Sequence, residues 1–133
     1  MRTEFEIWGD PVGQGRPRFT RSGHVYDPAA SRKYKMRVAG IAAKAMAGHE
    51  PPEGAMLVVI EAHVAMPKSW SQKKRDMMRG TYAAKKPDAD NIAKIILDGI
   101  NHVCYHDDKQ VSALCITKRW AAEGFVRVTV EDL

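Results

Sequence analysis

The stretch MLVVIEAHVAM, Met56 to Met66, constrains the fold more than any other part of the chain. It is rich in β-branched and apolar residues, with Pro51, Pro52 and Gly54 before it and Pro67 after it. A run of this kind reads as a central strand, which needs a neighbour on each edge and cover for its apolar side chains. The rest of the chain must therefore supply more strands and at least one amphipathic helix. His63 sits within the run and reads as a structural residue rather than a ligand.

The remaining elements follow from periodicity. Phe5 and Ile7 alternate with Glu4 and Glu6, a half-buried strand that Gly9, Asp10 and Pro11 stop. GDPVGQGRPRFTRSGHVYDP carries no sustained apolar period and reads as a long loop or loose hairpin. Asp27 as N-cap and Pro28 at the first turn open a helix whose packed face holds Tyr34, Val38, Ile41, Ala42 and Ala45. Arg32, Lys33, Lys35 and Arg37 point elsewhere, and Gly48 ends it. Ser69 or Ser71 caps a short helix ending at Gly80, with Trp70 packing or touching a partner. A further helix from Asn91, capped by Asp90 or Asn91, carries Ile92, Ile95, Ile96, Ile100 and Val103 as an apolar stripe and ends near Asn101 and His102. VSALCITKRW and FVRVTVE are two more strands; the turn at Ala121 to Gly124 predicts that they pair as an antiparallel hairpin.

With no internal repeat or linker, 133 residues make one domain, residues 1–133, large enough to bury a core unaided. The expected architecture is α+β: a mixed sheet packed with helices, in the order strand, helix, strand, helix, hairpin. Cys104 and Cys115 form neither a CxxC pair nor a zinc spacing and read as buried thiols in a reducing compartment. The N-terminus lacks an apolar signal core, and no apolar run approaches the ~20 residues of a membrane span. A soluble, cytoplasmic protein without a membrane partner is expected.

Lys and Arg total 21 against 16 acids, a formal net charge of +5 that suits a polyanionic partner such as nucleic acid. Against that background, KKPDADNIAKIILDGINHVCYHDDKQV gathers Asp88, Asp90, Asp98, Asp107 and Asp108 within one short stretch. Carboxylates so grouped repel one another unless a hard divalent cation, of which Mg²⁺ is the natural candidate, takes their oxygens as ligands. Such an ion lowers the pKa of bound water and neutralises charge on a phosphoryl oxygen, chemistry suited to phosphodiester hydrolysis. Lys94 lies one helical turn from Asp90, on a face shared with Leu97, and is also within reach of Asp98. The plain alternative makes Asp88 and Asp90 helix caps, Asp107 and Asp108 turn residues and Lys94 an ordinary salt-bridging residue. One geometric problem stands: about a dozen helical residues separate the two acidic groups by ~18 Å. They meet only if the chain after His102 folds back along the helix, or if the second group comes from another subunit.

KPDADNIAK, DGIN and DDKQV, in this order and spacing, resemble the RusA-like Holliday junction resolvases, whose pattern runs K-P-D-x-D-N-x-x-K, D-x-(L/I)-N, D-D-x-Q-(V/I). GRPRFTRSGHVYDP is similar to the N-terminal region of the phage-borne members. The resemblance implies a small α+β fold and a homodimeric, Mg²⁺-dependent endonuclease that nicks two opposed strands of a four-way DNA junction, with Mn²⁺ as a substitute metal and no small-molecule cofactor. It implies that the acidic cluster is assembled at a dimeric, basic surface. Carried over by position, Asp88, Asp90 and Asp108 match the essential carboxylates and Lys94 the functional lysine. Asp107 matches the first acid of the pair, so the metal set is Asp88, Asp90, Asp107 and Asp108. Tyr105 and His106 depart from the family, standing where a bulky apolar residue is common.

Arg16, Arg18, Arg21, Lys73, Lys74, Arg75, Lys85 and Lys86 are the candidates for DNA backbone contact, while Phe19, Tyr26 and Trp70 read as core residues in preference to wedges inserted into a junction. Two rival readings remain. The letters Pro87-Asp88 and Asp107-Asp108-Lys109 satisfy a PD-(D/E)xK nuclease pattern, but the residues between them carry a helical stripe where that pattern needs a hairpin. A non-catalytic basic module that binds DNA is the alternative from another class.

Overall fold

The computed structural model describes residues 1–133 as ten elements. In chain order they are β1 (Arg2–Trp8), β2 (Arg18–Phe19), β3 (Val25–Tyr26), α1 (Ala29–Met46), β4 (Met56–Ala65), α2 (Gln72–Met78), α3 (Ala89–Ile100), a 3₁₀ turn (Asp108–Gln110), β5 (Val111–Ala121) and β6 (Phe125–Asp132). Four of the strands form one mixed sheet in the order β1-β6-β4-β5, and β2 pairs with β3 in a separate ribbon.

The proline-bounded run is the central strand β4, which has β6 antiparallel on one edge and β5 parallel on the other. Its strict in-out burial puts Met56, Val58, Ile60, Ala62 and Val64 on the face that the helices cover. α1 supplies Tyr34, Val38, Ala42 and Met46 to this core, and α3 supplies Ile92, Ile95, Ile96 and Ile100. The helices cross where Gly99 has no side chain: a Cβ there would stand 2.8 Å from Val38 Cγ1. On the opposite sheet face His63 stacks on Phe125, which stacks on Trp8, so the histidine is held by packing. Trp70 meets Trp120 edge-on within a second small cluster.

Five expectations need correction. β5 and β6 follow each other in sequence but do not pair, because β4 lies between them and residues 122–124 cross its end. A short link between opposed strands looks the same in sequence whether it joins neighbours or skips one. Asp27 does not cap α1; Pro28 holds that position, and the Asp27 carboxylate pairs with Lys35. Lys35 is accordingly turned inward instead of lying on the exposed basic face. Cys115 is exposed, because it lies on an edge strand and alternates away from the helices, whereas Cys104 is buried and its thiol is pushed up to about 11 by burial. Phe19 and Tyr26 belong to no core cluster and are exposed on the β2–β3 ribbon.

Candidate active site

The acidic motif is delivered by the loop Lys85–Pro87, with a cis Lys86–Pro87 peptide, running into α3. The helix begins at Ala89, two residues earlier than its apolar stripe predicts, so Asp88 is the N-cap residue and Asp90 lies in the first turn. Asp88 has extended backbone angles and no capping hydrogen bond from its side chain, while Asp90 Oδ1 accepts the Asn91 N–H at 2.9 Å. Both carboxylates are exposed and neither forms an ion pair. The positive end of the helix dipole lies behind them. Lys118, on the helix-facing side of β5, donates to the Lys85 carbonyl at 2.7 Å and the Pro87 carbonyl at 3.0 Å, tying the loop to the sheet.

The N-terminal loop closes over the same place. Gln14 N–H donates to the Asn91 carbonyl at 3.0 Å and Gly15 N–H to Ser31 Oγ at 3.1 Å. Gly13 makes a close approach: a Cβ there would stand 3.0 Å from Pro87 Cβ and 3.2 Å from Asn91 Cβ, so those neighbours would have to give way. The result is an open cleft of about 480 Å³ lined by Asp88 together with Arg16 and Lys86, with Gly13, Gln14, Pro87 and Asn91 completing the wall. Two cations beside one carboxylate make this cleft receptive to a phosphate that Asp88 alone would repel.

Asp90 faces a second cavity, of about 520 Å³, whose walls are Asp90, Ala93, Lys94, Leu97 and Asp98 of α3 opposite Asp108, Leu114 and Ile116. The segment after α3 does fold back: His102 adopts a positive φ of 67°, Asn101 bridges to Tyr105, and Tyr105 Oη donates to the Leu97 carbonyl at 2.7 Å. β5 then returns toward the start of the helix, where Lys118 meets Pro87. Asp90, Lys94 and Asp108 thus line one space, whereas Asp88 opens into the neighbouring cleft. Asp90 and Asp98 are separated by about 12 Å along the helix axis, and Asp108 belongs to the Asp98 end. Nowhere do three carboxylate, imidazole or thiol groups converge as a metal cage. Asp107 caps the 3₁₀ turn, with Gln110 Oε1 accepting its N–H at 3.0 Å and Gln110 Nε2 reaching the Pro52 and Gly54 carbonyls.

The donor chemistry nonetheless fits Mg²⁺. Asp88 and Asp90 offer hard oxygens, free of cationic partners and open to solvent. Mg²⁺ is commonly held by one or two carboxylates, with water and substrate phosphate filling the remaining positions. Lys94 is exposed and unpaired, because Asp98 is taken by Lys35 at 3.3 Å. Burial works against the Lys35 ammonium, but its hydrogen bonds to Asp27 and Asp98 outweigh this and raise its pKa. That lysine in turn holds the Asp27 carboxyl below 3.8, against a smaller desolvation cost. Tyr105, fully buried, has its pKa raised first by burial and then by the charges of Asp108, Cys104, Asp98 and Asp107.

Of the basic candidates, Arg16 and Lys86 line the Asp88 cleft, and Lys85 joins Lys86 and Lys68 in an adjoining one. Arg18 and Arg21 are exposed on the β2–β3 ribbon. On α2, Lys73 is exposed, Lys74 lies over the Trp70 ring and Arg75 is bound to the Pro67 carbonyl. Sequence reasoning missed Gln14, Lys35 and Lys118. The one available signal was a lysine on the apolar phase of a strand, since Lys118 shares the phase of Leu114, Ile116 and Trp120.

Two comparisons bear on this arrangement. The pattern that defines the endodeoxyribonuclease RusA family matches residues 9–131. The "Uncharacterized protein YqaN" of Bacillus subtilis (strain 168) is 34% identical over 140 residues, covering 98% of this chain and 96% of the relative. The matched span takes in the N-terminal loop, α3 and β5, all the parts that build the two cavities, and the chain belongs to the RusA endodeoxyribonuclease family.

Proposed function

We infer that the protein is a Mg²⁺-dependent endonuclease that resolves four-way DNA junctions, acting as a homodimer whose two sites nick opposed strands. The observation that carries this reading is the Asp88 cleft, where an unpaired carboxylate at the start of α3 shares its walls with Arg16 and Lys86, in a chain of the RusA family. Arg16 and Lys86 hold the phosphate, while Lys85 and the exposed arginines of the N-terminal loop extend the positive track. Hydrolysis joins a water oxygen to phosphorus and breaks the bond to one bridging oxygen, which leaves with a proton. Asp88 and Asp90 would hold the divalent ion, Mg²⁺ or Mn²⁺, and Asp108 lines the second cavity together with Asp90. When bound, the ion supplies positive charge that offsets the charge building on the phosphoryl oxygens. Lys94, exposed beside Asp90, offers a second positive group to the attacking or leaving oxygen.

One observation favours the non-catalytic alternative: no three carboxylates converge in the single chain. Asp88→Asn separates the readings. On a synthetic four-way junction with Mg²⁺, nicking by the variant is expected to fall at least about 100-fold, as for loss of one charged catalytic group. Junction binding should survive or tighten as repulsion from phosphate falls. Nicking at the wild-type rate would overturn the catalytic assignment.

A further inference from the structure

The β2–β3 ribbon is the part of the molecule whose form the fold does not explain. It exposes three large apolar side chains within eight residues, Phe19 at 70%, Val25 at 60% and Tyr26 at 43%, and none of them belongs to a core cluster. An isolated exposed hydrophobe needs no explanation, but three on one small ribbon do. Its register sets Phe19 directly opposite Val25 on one face and Arg18 opposite Tyr26 on the other. From Pro11 to Tyr26 the chain holds Arg16, Arg18 and Arg21 and no acid.

The ribbon is also built to hold its shape. At its tip Gly23 N–H donates to the Thr20 carbonyl at 3.0 Å, Thr20 N–H to the His24 carbonyl at 2.9 Å, and His24 N–H to Thr20 Oγ1 at 3.1 Å. Gly23 takes the positive φ of 87° that this turn needs. At its base one leg is tied to α3 through Gln14 and Asn91, and the other to α1 and α3 through Asp27, Lys35 and Asp98. The first leg thus starts at the cleft that holds Asp88, and Gln14 Nε2 on that leg donates to Asp27 Oδ1 at the foot of the second at 3.4 Å. The five residue-to-residue steps from Gln14 to Phe19 span at most about 17 Å, which matches about five nucleotide steps at ~3.4 Å per phosphate.

We propose that this ribbon is a base-stacking arm. Its arginines follow the phosphate backbone away from the cleft, and Phe19, backed by Val25, stacks on a nucleobase that has lost a neighbour, within about five nucleotides of the phosphate held at Asp88. Continuous duplex offers no such base, whereas the branch point of a junction does. The arm therefore gives the protein a means of preferring branched over linear DNA. The inference rests on the reading above and names the element that recognises its substrate.

The test places 2-aminopurine at the branch point of a four-way junction and follows its fluorescence, alongside binding to that junction and to a linear duplex of the same sequence. Wild type is expected to raise the fluorescence as the base leaves its stack. Phe19→Ala should lose the rise and weaken junction binding about 5- to 100-fold, the range for loss of one base–aromatic stack, with duplex binding changed less than about twofold. Phe19→Trp should restore junction binding. An unchanged thermal unfolding midpoint for Phe19→Ala, expected of an exposed side chain, shows that the fold is intact. A wild-type fluorescence rise and junction affinity in Phe19→Ala would overturn the proposal, as would equal losses on junction and duplex. A change in the sedimentation of the DNA-free protein on Phe19→Ala would overturn it too, since Phe19 would then cover a second copy of the chain. A wild type that raises the fluorescence without nicking would overturn the nuclease reading alone.

Discussion

Among single residues, the acids were visible and their partners were not. Asp88 and Asp90 stand out because one residue separates them, and the structure leaves both exposed and unpaired at the start of α3. Lys35 was read as an outward charge because its neighbours are basic; only the packing of α1 on α3 shows it between Asp27 and Asp98. This bridge has a defined pH signature. The Lys35 hydrogen bond depresses the Asp27 pKa below 3.8, so the folded state binds fewer protons there. The resulting stability is fully present above the ordinary Asp value and is lost as the pH falls through the depressed one. Lys35→Met should therefore lower stability by about 1 kcal/mol at neutral pH, and this deficit should begin to close only as the pH falls below the ordinary Asp value, closing fully below the depressed one. Urea unfolding at several pH values measures it; a deficit independent of pH would show that Lys35 acts through packing alone.

Elements were legible where their own periodicity decided them and opaque where contacts between elements did. The stripe of α3 and the alternation of β4 name their buried faces without help, whereas the separation of β5 from β6 depends on which strand wins the edges of β4. The α1–α3 crossing is likewise a relation between elements, and Gly99 is its sensitive point. Gly99→Ala adds a methyl group 2.8 Å from Val38 Cγ1 and 3.4 Å from the Lys35 carbonyl, and one of the helices must shift. A better helix former recovers only ~1 kcal/mol, so we expect a net loss of about 1–2 kcal/mol by denaturant unfolding. In a Val38→Ala background the same change should cost almost nothing; equal costs in both backgrounds would place the strain elsewhere.

At the scale of the molecule, an excess of basic charge surrounds an acidic motif, and the fold turns that contrast into adjacent surfaces. The single-domain α+β architecture was readable because one central strand and two amphipathic helices leave few alternatives. The meeting of Asp90 and Asp108 on one cavity was not, because it depends on the backbone reversal at His102. If about six cations contact phosphates, junction affinity should fall about 1000-fold between 50 and 200 mM salt. Replacing Arg16 and Lys86 by Gln should reduce the log–log slope by about 2. An affinity flat across that range, measured by fluorescence anisotropy, would remove the electrostatic basis of the reading.

The order β1-β6-β4-β5 carries one more consequence, for the timing of synthesis. β1 is an edge strand whose only partner is β6, and the Met1 amino group sits on the Asp132 carboxylate at 2.5 Å. A ribosome adding ~5–20 residues per second takes roughly 6–25 s to travel from one of these strands to the other. Throughout that interval Phe5 and Ile7 have no sheet to join. The nascent chain must carry an unpaired apolar strand until its last segment emerges, and chaperones that bind such strands have that long to act.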